Sequence, residues 1–184
     1  MKKLFMVMLG CKPKGRLTEQ HDVFFGIAEN IKELIPHFVV FWPESKGEIH
    51  IDAWREITQI NRFKIEVLTK QTAFKNNNFL FFINLGGYKA NLFDEFHFKL
   101  LTVANNKAEA ISHAKKTNFF TEFNFKGGES HVDDKYGVDV DEIFKIEEAL
   151  PQQFKDKYTI KITETDNLYE DKFHIGYVSL KKLK

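Results

Sequence analysis

The chain has 184 residues, with 27 Lys and Arg against 26 Asp and Glu and a formal net charge of +1, a balance that offers no nucleic-acid footprint and no acidic tail. Hydrophobic residues at 43% and charged residues at 29% exclude wholesale disorder. A single Cys excludes an intrachain disulfide and a cysteine-rich zinc site, and predicts a reducing compartment, the cytoplasm. Phenylalanine, at 20 residues against 5 Tyr and 2 Trp, should build most of the core.

Met1-Lys2-Lys3 and the run Leu4 to Leu9 before Gly10-Cys11 imitate a lipoprotein signal, but six apolar residues fall short of the roughly 7–15 of a secretory apolar region. The pattern also recurs inside the chain as Leu80-Phe81-Phe82-Ile83-Asn84-Leu85-Gly86, so both runs are read as strands. No run approaches the roughly 18 apolar residues of a membrane-spanning helix, and no membrane association is expected. Thr18, a good N-cap residue followed by Glu19, predicts a helix from 18 with a stripe of Val23, Ile27, Ile31 and Leu34, closed near Pro36. His37 to Trp42 reads as a strand, Pro43 to Gly47 as a turn, and Glu48 to Trp54 and Phe63 to Leu68 as further strands. Gln71 to Asn78 is a polar link. Asp94 predicts a second helix with Leu100, Val103, Ala104, Ala108 and Ile111 on its stripe. Beyond Pro151, Tyr158 to Thr163 and Phe173 to Val178 alternate as the two arms of a hairpin around a polar loop, Glu164 to Lys172.

Shifted by 76, residues 4–37 match 80–113 at eleven of 34 positions; shifted by 81, residues 47–66 match 128–147 at eight of 20. Chance gives about 6% per position, or about three matches in all. The excess predicts a duplicated β-α-β-β unit whose second copy carries a five-residue insertion near Asn118 to Lys126. The fold class follows as α+β: tandem repeats at 1–70 and 79–150, related by a pseudo-twofold axis, similar to a ferredoxin-like arrangement. They share one core, with a C-terminal hairpin extension at 151–184. A homodimer is admitted by the same reading.

Leu-Phe-Met-Val-Met-Leu-Gly-Cys-Lys-Pro-Lys-Gly-Arg, Thr-Glu-Gln-His-Asp, Phe-Trp-Pro-Glu and His-Ile-Asp-Ala-Trp-Arg-Glu resemble the bacterial family of the domain of unknown function 1543, found in one or two copies per chain. The resemblance covers the first copy most clearly and the last 34 residues scarcely. It implies no activity, cofactor or catalytic residue.

Six of the seven His fall in matched pairs: 21/97, 37/113 and 50/131. His21 and His37, placed at the predicted helix ends, also have a structural reading through capping. Residues two apart on a strand share a face, so Glu48, His50, Asp52 and Trp54 should project together, as should Glu129, His131 and Asp133. Imidazole beside carboxylate suits acid–base chemistry or a divalent metal. His21, His50 and Asp52 are the catalytic candidates, and His50, Asp52, His131 and Asp133 the candidate metal ligands. The loop Gly10 to Arg16 carries Lys12, Lys14 and Arg16 before a predicted helix N-terminus; with Glu19 and His21 these form the candidate site for a small anionic ligand. Cys11 lies in the same positive loop as a candidate activated thiol, although Gly87 replaces it in the second copy and a buried inert cysteine is the commoner case. Two functions follow: a small-molecule or anion-binding module, or a metal-assisted or His/Asp acid–base hydrolase. Convergence of His21, His50 and Asp52 favours the second.

Overall fold

The structure, a computed structural model, describes residues 1–71, 74–123, 131–132 and 143–183, with backbone alone at 131–132. It is a mixed α+β fold of mostly antiparallel sheets with few helices. The chain forms two compact units, one from Met1–Phe74 with Leu150–Lys184 and the other from Lys75–Ala149.

In the first unit β1 (Lys3–Cys11) is flanked by β2 (Gln20–Ala28) and β3 (His50–Ile57), and β11 (His174–Ser179) pairs with the far side of β3. Residues 18–28 are therefore not helical. The β-branched and aromatic residues Val23, Phe24, Phe25 and Ile27 favour an extended chain, Gly26 disfavours a helix, and burial of Phe24 through Ala28 on both faces erases the alternation that would have marked a strand. The helix comes later. Asn30 accepts from Lys32 N at 3.1 Å, and Glu33 reaches back to Glu29 N at 3.2 Å, opening a 3-10 turn (Ile31–Leu34) that runs into α1 (Ile35–Phe41). Pro36, expected to close a helix, stands in the first turn of one, where its missing N–H costs nothing. The strand expected at His37 to Trp42 is thus α1.

α1 covers the face of the sheet that carries Phe5, Val7 and Phe24. Phe38 and Phe41 meet Phe24 edge-on with centroids at 5.1 and 5.3 Å. A second sheet orders β10 (Tyr158–Glu164), β5 (Phe63–Thr69) and β4 (Gln59–Ile60). The two C-terminal strands occur where alternation placed them but do not form a hairpin: β10 pairs with β5 and β11 with β3. Asp171, buried between them, explains the path. Its carboxylate accepts from Thr58 N at 3.0 Å, Thr58 Oγ1 at 2.6 Å and Gln59 N at 3.3 Å, fixing the intervening loop to the β3–β4 corner.

The second unit repeats a hairpin followed by a helix. β6 (Phe79–Gly87) pairs with β7 (Phe96–Ala104), and α2 (Lys107–Ala114) starts at Asn106, which accepts from Glu109 N at 3.0 Å. Asp94 lies in a loop. β8 (His131–Val132) and β9 (Ile143–Lys145) pair with β6, around a core of Phe81, Ile83, Leu85, Ala104, Ala110, Ala114 and Ile143. Gly86 faces His97 and His131, as Gly10 faces His21 and His50 in the first unit.

Phe5 and Phe24 are 0% and 1% exposed, and replacing either with Ala should cost about 3–5 kcal/mol in chemical unfolding; a loss below about 1 kcal/mol at both would show that they are not core residues.

His37 of α1 packs edge-on to Phe154 at 5.0 Å and accepts at Nδ1 from Gln153 Nε2 at 2.7 Å, tying α1 to the short helix Gln152–Lys155. Burial pushes its pKa down. The unfolded chain therefore binds the proton more readily. The stability this contributes is complete above the unfolded value of about 6.5 and is lost as pH falls below it. Between pH 7 and 5 the melting temperature of the native chain should fall more steeply than that of His37→Gln; parallel curves would show that His37 does not carry this dependence.

Candidate functional site

The register of the first sheet places Gly10 of β1 between His21 of β2 and His50 of β3. Cross-strand partners share a face, so both imidazoles rise on either side of a residue that has no side chain. A Cβ at Gly10 would overlap His50 Nε2 and Asp52 Oδ2. Any side chain here would force the tips of His50 and Asp52 to shift, so the site rests on bare backbone.

Asp52 reaches this face through a β-bulge. Met8 pairs with Ala53 and Leu9 with Ile51, which leaves Asp52 without a partner on β1. The extra residue changes the alternation expected for β3. Trp54 pairs with Val7 and lies on the opposite face from His50, 6.1 Å from the Phe5 ring and stacked at 3.8 Å on His174. A second irregularity, in β11 between Ile175 and Val178, contains Gly176 at φ +128° and sets the Tyr177 ring 4.5 Å from that of His50.

Four side chains converge. Nε2 of His50 lies 2.9 Å from Glu19 Oε1 and 3.3 Å from Asp52 Oδ1, and Nε2 of His21 lies 3.3 Å from Asp52 Oδ2 and 3.9 Å from Glu19 Oε2. His50 is 8% exposed. Its Nε2 and Asp52 Oδ2 are buried without a hydrogen-bond partner, so these approaches are ion-pair contacts outside the line of the ring N–H. Among the described residues no three His, Cys, Asp or Glu side chains are arranged as a metal-holding group.

The basic loop does not lead into a helix. It is the turn of the β1–β2 hairpin, with Arg16 N donating to Pro13 O at 3.2 Å and Gly15 at φ +87°. The helix-terminus contribution to anion binding is therefore absent, and Lys12, Lys14 and Arg16 stand exposed above the strand ends that carry Glu19 and His21. Cys11 is 1% exposed, and burial, with Glu48 and Glu19 nearby, pushes its thiol pKa up. It is a closed, protonated thiol rather than a nucleophile.

In the second unit Tyr88 donates to Glu95 at 2.6 Å, Asn84 meets His97 Nδ1 at 3.1 Å, and His97 Nε2 lies 3.9 Å from Glu95. His113 contacts Thr102 Oγ1 at 2.8 Å. The side chain of His131 and all of Asp133 lie outside the described residues. The expected His50 and Asp52 pair is observed; sequence reasoning missed Tyr177 and Gly10, of which only the second left a signal, a Gly at the end of an apolar strand.

Comparison with known proteins adds little chemistry. No curated protein matches. Among solved structures, the crystal structure of a protein Il1583 from Idiomarina loihiensis is similar over 98% of each chain, with a TM-score of 0.59 at 19% identity, a likeness of fold alone. The family model for the domain of unknown function DUF1543 matches residues 16–67, a span that includes Glu19, His21, His50 and Asp52. Over those residues the chain is similar to the DUF1543 family model.

Proposed function

We propose that the first unit is a small-ligand-binding module whose site is the His/carboxylate cluster at the open end of β1, β2 and β3, with the hairpin loop above it receiving the anionic part of the ligand. The observation that carries this reading is the convergence of His21, His50, Asp52 and Glu19 over the backbone of Gly10, with His50 Nε2 and Asp52 Oδ2 buried and without an aligned hydrogen bond. Both atoms have ion-pair contacts at 2.9–3.3 Å but no aligned hydrogen bond, so an occupant that supplies aligned partners is favoured there. Lys12, Lys14 and Arg16 supply positive charge at the rim. Convergence of His21, Asp52 and His50 favours a second reading, acid–base hydrolysis, in which Asp52 orients two imidazoles that exchange protons with a bound ester or phosphoester.

The same proposal takes the two units as descendants of one duplicated unit. Its support is the paired register of Gly10 and Gly86 with their histidines and the matching Asn30–Glu33 and Asn106–Glu109 helix starts. Among the described residues no helix is long and apolar enough to cross a membrane; the cytoplasm, with its reducing poise, suits a lone buried Cys.

Titration of the isotope-labelled chain with inorganic phosphate should move the amide resonances of residues 10–21 in a saturable way, and Lys12→Ala and Arg16→Ala should weaken the response. Unmoved resonances, or shifts that survive both substitutions, would remove the anion-binding role of the loop. Loss of stability in His21→Ala and His50→Ala without any change in phosphate response would make the histidines structural ties.

A further inference from the structure

We infer that the chain forms a symmetric dimer in which β11 of one copy lies antiparallel along β11 of a second, an inference independent of the ligand proposed above. In the sheet order β11-β3-β1-β2, β11 has β3 on one side and an open edge on the other, and an open edge presents unpaired backbone N–H and C=O groups. Proteins blunt such edges with Lys or Pro, and His174–Ser179 contains neither. It exposes large side chains instead. Phe173 is 57%, Ile175 83% and Tyr177 67% exposed, and Leu168 and Tyr169 just before them are exposed as well. The first three share the face of the sheet that carries Gly10: the Arg55 guanidinium lies over the Phe173 ring, Ile175 pairs with Ala53, and Tyr177 stands against His50. Single exposed apolar residues need no explanation, but a row of them along an open edge marks an interaction surface.

A second copy is the occupant that fits, and charge is the first reason. Ahead of β11 stand Glu164, Asp166 and Glu170 against a single Lys172; after it stand Lys181 and Lys182, all exposed. A twofold axis across antiparallel strands puts the start of one β11 beside the end of the other, so the acidic approach meets the basic exit at both ends. A parallel pairing would set like charge against like. With the axis at Ile175, that residue meets its own copy and Phe173 meets Tyr177 of the other chain, apolar cross-strand pairs of the kind that stabilise sheets. The opposite edge of the sheet offers no such match, because the exposed residues of β2 are Gln20, His21 and Asp22.

Area is the second reason. Large side chains bury about 150–250 Å² each, so the exposed parts of these five amount to roughly 600 Å² per copy and about 1,200 Å² in the dimer, the lower end of specific interfaces. The association is therefore reversible. The bulge between Ile175 and Val178 shortens the regular edge, so side chains carry most of the contact, and the twofold axis closes the assembly at two copies.

Sedimentation velocity of the full chain from micromolar to millimolar concentration should show a reversible monomer–dimer equilibrium. Ile175→Lys, which sets two ammonium groups against each other at the axis, should weaken it by more than about tenfold, with Val40→Lys on the exposed side of α1 unchanged. Lys181→Glu combined with Lys182→Glu should weaken it too, and adding Glu170→Lys should restore part of the loss. A monomer at every concentration, an undiminished dimer in a folded Ile175→Lys protein, growth past two copies, or indifference to the charge substitutions overturns the inference. Should Ile175→Lys fail to fold, the native chain decides: amide resonances that shift with concentration should centre on residues 168–182, and shifts centred elsewhere overturn it.

Discussion

The arrangement depends on the missing side chain at Gly10. β1 is paired on both sides, so any residue at its end must share a face with one neighbour on each flanking strand. At Gly10 those neighbours are His21 and His50, and the space a Cβ would fill is taken by His50 Nε2 and Asp52 Oδ2. The buried imidazole and the bulged Asp52 lie over the bare backbone the strand offers there, and the carboxylate of Glu19 reaches the imidazole. The pairing that fixes this meeting is made by Leu4 through Leu9, whose fully or partly buried side chains hold β1 between its partners.

How much of this was legible in the sequence depends on which physical signal each element left. β1 and β6 were legible as short apolar runs ending in Gly, and β3, β10 and β11 as alternation. β2 was not. Val23, Ile27, Ile31 and Leu34 recur at helical spacing, yet the first two belong to a strand buried on both faces and the last two to a 3-10 turn. The true helix start was present among the repeat matches, since Asn30 and Glu33 correspond to Asn106 and Glu109, a capping pair three apart in each unit. The pairing of β11 with β3 could not be read locally, because it is set by the Asp171 carboxylate more than a hundred residues from its partners.

The candidate site was legible in part for the same reason. The Glu-x-His-x-Asp pattern on β3 placed His50 and Asp52 together, although Asp52 arrives through a bulge that sends Trp54 to the other face. The basic loop was legible as charge but not as geometry: it caps a hairpin and lends no helix terminus. In the second unit, Asn84 stands where the first has Met8 and Gly87 where it has Cys11, and the Tyr88–Glu95 bond engages the carboxylate that corresponds to Glu19. The chemistry of the first unit is thus its own, even though His97 and His131 pair with Gly86 in the second.

The central claim is that His50 lies on the backbone of Gly10, on the same face as His21. The most direct measurement is the nuclear Overhauser contact between the Gly10 Hα protons and the His50 ring Hε1 in the labelled full chain. A strong cross-peak is predicted, because His50 Cε1 lies 2.9 Å from where a Gly10 Cβ would stand, together with cross-strand contacts from Gly10 to His21. A His50 ring that shows contacts to Leu9 and Val7 in place of Gly10 would lie on the other face of the sheet and contradict the account.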